Sequence, residues 1–221
     1  MKYRSDVKVE LIDFMGGDAK VVQSARTSTL GDSRGVEANA GLINYLVREK
    51  HHSPLESSVF TFYIEAPIFV TRQLIRHRIA SFNEASGRYK VLEPEFYLPP
   101  EDRPLVQVGK TGDYQFEKAN NSELWQGTYH VLAEACEFAW DHYTTLIDAG
   151  VAKEVARMIL PVNIYSQMYI TVNARSLMNI IELRADDHAQ YEIQLVAREM
   201  DRIFKSQMPL THAAWEANRE L

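Results

Sequence analysis

The sequence predicts an α/β protein of the α+β type: one globular domain over residues 1–221, with a central, largely antiparallel sheet flanked by helices and a long helical segment. Three observations carry that expectation. Residues 59–65 alternate cleanly, with Phe60, Phe62 and Ile64 to one side and Thr61, Tyr63 and Glu65 to the other, the pattern of a half-buried strand. Residues 117–149 place Trp125, Tyr129, Leu132, Cys136, Tyr143 and Leu146 along one helical stripe. With 221 residues and 46% hydrophobic content, the chain is long and apolar enough to bury a sizeable core.

The remaining elements follow in order. Alternation over 7–15 predicts a first strand, and 19–27 a short helix after it. Within 36–50, Leu42, Tyr45 and Leu46 recur at helical spacing; Pro54 ends this helix near HHSP, because proline disfavours helix just before it. Pro67 suits the first turn of a helix, IFVTRQLIRHRIA, whose end carries Arg76, His77 and Arg78. Four of the eight prolines fall between Pro94 and Pro104, which predicts a surface excursion without regular structure over 91–112. After the long helix, a second helical piece starts at Val151 and stops at Pro161, and 166–172 reads as a strand. Helices over 175–185 and 188–207 precede a short tail after Pro209.

Composition excludes several classes. A formal charge of −6 argues against a protein that coats a nucleic-acid polymer or an anionic membrane. The single cysteine, Cys136, rules out an intrachain disulfide framework and a Cys-rich zinc site. The seven histidines include no HxxxH or HExxH pairing, so no metal is expected. The N-terminus lacks the apolar stretch of a signal peptide and no run of about 18 apolar residues occurs, so the expected location is the cytoplasm.

Against this acidic background, residues 72–90 hold five cations (Arg72, Arg76, Arg78, Arg88, Lys90) and one acid, Glu84. In a continuous helix Arg72, Gln73 and Arg76 would share a face. One reading is that these cations complement a helix C-terminus, worth roughly 0.3–1 kcal/mol each. The other starts from the apolar approach at 66–70: arginines on a largely buried helix need anionic partners, and the guanidinium fork suits phosphate. Beyond them Ser81, Asn83, Ser86 and Gly87 form a small polar loop able to offer hydroxyl and backbone N–H donors to a phosphate.

The whole string, RHRxxSxNxxSxR at 76–88, fixes seven positions in thirteen and resembles the signature of the flavin-dependent (alternative) thymidylate synthases. The resemblance extends to HHSPLESSVFTFYIEAPIFVTRQLIRHR and to NARSLMNIIELRADDHAQYEIQ at 173–194. It implies methylation of dUMP to dTMP, with 5,10-methylenetetrahydrofolate as carbon donor and NADPH as reductant through bound FAD. It also implies a homotetramer whose active sites combine residues of more than one subunit. By the same resemblance Ser53, Arg76, His77, Arg78, Glu84, Asn173, Arg175 and Asn179 contact FAD, with His51 and His188 bordering the site. Gln73, Arg76, Glu84, Ser86, Gly87, Arg88, Arg157 and Arg184 hold dUMP, and Arg184 is the catalytic residue, favouring ionisation at N3 of the uracil. Ser53 stands where many members have threonine.

Other readings compete at particular residues. Classical thymidylate synthases attack with a cysteine, yet Cys136 lies on the apolar stripe of the long helix and reads as core. GlyLysThrGly at 109–112 is no P-loop, because Pro104 stands where that motif needs glycine. With no GxGxxG, flavin binding of the Rossmann kind is excluded. Arg184 and His188, four apart across two aspartates, alone would read as an exposed ion-pair cluster. Two rivals to the enzyme remain open at this point: a nucleotide-binding regulatory module, and a single-strand nucleic-acid binder using Phe82 and Tyr89, which the acidic total disfavours.

Overall fold

The computed structural model describes residues 1–30, 37–110 and 113–219. Val36, Thr111 and Gly112, at the ends of segments discussed above, lie outside the described residues. In chain order the elements are β1 (Lys2–Arg4), β2 (Lys8–Met15), α1 (Asp18–Leu30), α2 (Ala40–Arg48), a 3-10 turn (Ser53–Ser57), β3 (Val59–Pro67), α3 (Ile68–Leu74) and β4 (Ser81–Glu84). There follow β5 (Glu95–Tyr97), β6 (Val106–Lys110), β7 (Asp113–Glu117), α4 (Ser122–Asp148), α5 (Lys153–Ala156) and a 3-10 turn (Arg157–Ile159). The chain closes with β8 (Tyr165–Asn173), α6 (Ala174–Arg184), α7 (Tyr191–Gln207) and α8 (Pro209–Asn218).

The main sheet has the order β2-β3-β8-β4. β3 and β8 run antiparallel: the Thr61 and Thr171 hydroxyls meet at 3.1 Å, the Ser58 carbonyl accepts from the Ala174 N–H, and the Ile164 carbonyl from the Ile68 N–H. As one number rises the partner's falls. β1 and β5 form a parallel pair and β6 and β7 an antiparallel hairpin, Val106 opposite Glu117 and Gly109 opposite Tyr114.

The described chain divides into two compact units. The first holds Met1–Val7, Glu65–Gln73 and Glu84–Gln167. Its core is Phe96, Cys136 and Ile164, packed by Tyr3, Ile68, Leu92, Trp140 and Leu160. Arg4 pairs there with Asp6, Glu65 and Glu95 and lies over the Tyr165 ring. The second unit holds Lys8–Ile64, Leu74–Asn83 and Met168–Leu221. Phe60, Phe62 and Ile64 are fully buried, as the alternation of β3 predicts, and Phe60 meets Phe14 and Phe204.

The entry to β3 is unusually tight. Gly16 (φ +114°) and Gly17 (φ +108°) follow β2, and the buried Ser58 hydroxyl accepts the Gly17 N–H at 3.0 Å. The Ser58 carbonyl in turn accepts from Ala174, the first residue of α6.

Four expectations are corrected. The helix expected to run through Ala80 ends at Leu74, so Arg76, His77 and Arg78 sit in a turn and Arg76 shares no helical face with Arg72 and Gln73. The buried series Val70, Leu74 meets His77 and Arg78 where apolar residues would have to continue it, and the His77 N–H closes a tighter i→i+3 bond onto Leu74. The polar stretch from Ser81 is β4, an edge strand, where one face stays wet and serine, asparagine and glutamate are tolerated. The segment 91–112 contains β5 and β6; its prolines bracket these strands rather than interrupt them, and Phe96 anchors β5 in the core. The tail after Pro209 is α8. Pro209 takes its first turn, and the Asp18 carboxylate accepts the N–H groups of Leu210 and Thr211 and the Thr211 hydroxyl.

Candidate functional site

In the second unit, one face of α6 is core and the other is open. Leu177, Met178, Ile180 and Ile181 are buried, which leaves Arg175, Asn179 and Glu182, spaced by four and three residues, on a common outer face. That face lines a cavity of about 900 Å³. The turn after α3 brings Arg76, His77, Arg78 and Ile79 to it, α2 brings Val47, with Lys50 just past its end, and α8 brings Trp215 and Asn218, with Arg219 just beyond. Its wall carries six cationic side chains against two carboxylates, Glu56 and Glu182. Glu56 pairs with Arg175 at 2.6 Å at the rim. A volume of this size with a cationic excess fits a phosphorylated dinucleotide.

Within the cavity, Arg184 Nε donates to His77 Nε2 at 3.0 Å. His77 is buried, and its pKa is lowered first by that burial and then by the Arg184 charge. His52, half-buried on the same wall, is likewise lowered, chiefly by desolvation.

In the first unit a second group of candidates gathers after β4. The Ser86 hydroxyl accepts the Arg88 N–H at 3.3 Å, and Arg88 Nε pairs with Glu154 at 2.9 Å. A Cβ on the buried Gly87 would lie 3.2 Å from Cδ of Arg157, so the arginine side chain packs closely against this position. Glu84 accepts from the Thr71 hydroxyl at 3.0 Å, and Gln73 donates to the Phe69 carbonyl at 3.4 Å.

The expected residues therefore separate. Arg76, His77, Arg78, Arg175, Asn179 and Arg184 meet at one cavity, whereas Gln73, Glu84, Ser86, Gly87, Arg88 and Arg157 belong to the first unit. Four others do not line the cavity. Asn173 caps α6, its Oδ1 accepting the Ser176 N–H at 2.9 Å. Ser53 opens the 3-10 turn and is exposed, as is His51. His188 is exposed, its backbone N–H and ring both engaged with Asp186, whose carboxyl that N–H holds below its usual pKa.

Sequence reasoning missed Lys50, His52, Glu56, Trp215, Asn218 and Arg219 on the wall. Lys50 carries φ +57° just past α2, a place where glycine is the usual occupant, and a strained non-glycine residue facing a cavity is a recognisable functional signal. Nothing local in the sequence marks the α8 residues, because the carboxylate that caps this helix lies 193 positions away.

Cys136 is inert in this arrangement. It is buried, Asn163 Nδ2 donates to its sulfur at 3.2 Å, and burial pushes the thiol pKa up. Among the described residues no group of three or more His, Cys, Asp or Glu side chains could hold a metal ion, and no helix is long and apolar enough to cross a membrane.

Comparison with known proteins gives concordant matches. The sequence model of the family described as Thymidylate synthase complementing protein (Thy1) matches residues 10–210. A flavin-dependent thymidylate synthase of Tropheryma whipplei (strain TW08/27) is 48% identical over 97% of this chain and 94% of its own length. One from Streptomyces avermitilis is 43% identical over 98% and 93%. Among solved structures, a UMP/dUMP methylase, PolB, from Streptomyces cacaoi bound with 5-Br UMP superposes with a TM-score of 0.92 at 41% identity, covering 98% of this chain and 96% of that one. The same methylase bound with 5-Br dUMP matches equally well.

Proposed function

The chain belongs to the thymidylate synthase complementing protein family, the flavin-dependent thymidylate synthases, and from that premise we propose how its residues divide the methylation of dUMP to dTMP. FAD is held by Arg76, Arg78, Arg175 and Asn179, with His77, Ser53, Glu84 and Asn173 as further contacts and His51 and His188 at the border. The dUMP phosphate is held by Ser86, Gly87, Arg88 and Arg157, with Gln73, Arg76 and Glu84 along the nucleotide and Arg184 at the uracil. The carbon comes from 5,10-methylenetetrahydrofolate and the reducing equivalents from NADPH. Residues 1–221 act as a single domain within a cytoplasmic homotetramer, where the two groups of residues need not come from the same copy.

The observation that carries this reading is the cationic cavity around Arg184, lined by the RHR turn and by α6. Bound flavin supplies the redox chemistry, which no side chain can. The protein's part is to bind, orient and polarise. A guanidinium is a permanent cation, so that of Arg184 stabilises negative charge as the uracil N3 ionises and makes C5 a better nucleophile. No enzyme nucleophile is required, which agrees with the buried, hydrogen-bonded state of Cys136.

Purification provides the test. The protein should carry flavin absorbance near 450 nm, roughly as for oxidised flavin cofactors, and its reduced flavin should reoxidise when dUMP and methylenetetrahydrofolate are supplied together. Colourless protein that takes up no added FAD would sink the reading. At the phosphate, Arg88→Ala should weaken dUMP binding by about 1.5–3 kcal/mol, the scale of hydrogen bonds to a charged group. Freeing Arg88 from Glu154 costs little, since both are exposed. Calorimetric titration with dUMP reads the change directly, and an unaltered Kd would move the phosphate elsewhere.

A further inference from the structure

The hydrogen bond between Arg184 and His77 has only one possible polarity. A guanidinium has five N–H donors and no acceptor, so the ring nitrogen facing it must present a lone pair. His77 is therefore neutral with its proton on Nδ1. The bond also takes the Nε–H side of Arg184, leaving the two terminal amino groups to make a parallel, end-on pair of hydrogen bonds.

We infer that His77 is a positioning residue for Arg184, its Nε2 lone pair holding the guanidinium by the Nε edge so that the terminal amino groups face the uracil. This goes beyond the flavin contact assigned to His77 and rests on the proposed role of Arg184. Arg184 is the last residue of α6, where the helix gives its long side chain no further support, and four rotatable torsions must otherwise be fixed by contacts at the tip. His77 suits this task because its ring is packed in a buried position and its main chain is anchored by the N–H bond to Leu74 at 3.0 Å. Burial and the neighbouring arginine both disfavour a second ring proton, which would turn an acceptor into a donor and set two cations together. The middle residue of the RHR turn thus serves the arginine of α6, 107 positions away.

The experiment has two arms. In wild-type protein labelled with 15N-histidine, the ring signal that disappears in His77→Gln should report an unprotonated Nε2 and a protonated Nδ1 at neutral pH. In kinetics at FAD concentrations that saturate each variant, His77→Leu should lower kcat for dTMP formation by about 10–100-fold, the scale of a misplaced catalytic group, with the KM for dUMP within about twofold. His77→Gln, whose side-chain oxygen can accept the same N–H, should recover kcat to within about fivefold of wild type. A proton on Nε2, or a glutamine variant no better than leucine with flavin still bound, overturns the inference. If His77→Leu does not fold, the tautomer and the glutamine variant still decide it. Wild-type protein that forms no dTMP refutes the role of Arg184 and this inference with it, whereas an active wild type with the opposite tautomer refutes the inference alone.

Discussion

Replacing Arg184 with alanine should lower dTMP formation by at least about 100-fold while the purified variant keeps its flavin. The size follows from what the guanidinium does, since a fixed charged donor aimed at developing negative charge in a water-poor site is worth about 10²–10³ in rate. Retention of flavin follows from the cavity, where five cationic side chains remain after Arg184 is removed. Folding should be little affected, because Arg184 stands at the end of α6 and a cation in the last turn contributes only about 0.3–1 kcal/mol. The measurement is single-turnover dTMP formation beside the absorbance ratio of flavin to protein. Full activity would remove Arg184 from the chemistry; loss of flavin along with activity would make it a cofactor ligand instead.

The largest effect on stability is expected from Gly16→Ala. A Cβ at this position would lie 2.4 Å from the Ser58 hydroxyl oxygen and 2.7 Å from Ser58 Cα, and the backbone holds φ +114°. Strained backbone costs about 1–3 kcal/mol and overpacking a similar amount, so a loss of about 2–6 kcal/mol is expected. Ser58 cannot yield cheaply. It is fully buried, its hydroxyl accepts from Gly17, and its carbonyl anchors the first residue of α6. Since α6 carries Arg175, Asn179 and Arg184, the displacement should also reduce flavin content. Urea denaturation monitored by circular dichroism measures the first effect and absorbance the second. A loss below about 1 kcal/mol would show that Ser58 moves aside freely.

Both positions show what the sequence could and could not reveal. The strand 59–65 was legible because burial on one face imposes a period of two, and Phe60, Phe62 and Ile64 obey it. The RHR turn was legible as chemistry and not as structure: its charges stood out, but where α3 would stop depended on the apolar series running out after Leu74. β5 hid among prolines because pairing with β1, 93 positions away for Lys2 and Glu95, is invisible locally. The resemblance assigns Asn173 to the flavin, and its side chain also caps α6, a local role that shows only once the helix boundary is known. Lys50, Trp215 and Asn218 entered the site only through packing between helices far apart in the chain.

The capping of α8 by Asp18 also bears on how the protein is made. The cavity wall includes residues of the last helix, and that helix is held by a carboxylate from the beginning of the chain. During synthesis the earlier wall residues, from Val47 to Arg184, emerge well before α8 exists. The cavity wall is therefore complete only once α8 has been made and has docked on Asp18, so the chamber draws on both ends of the described chain at once.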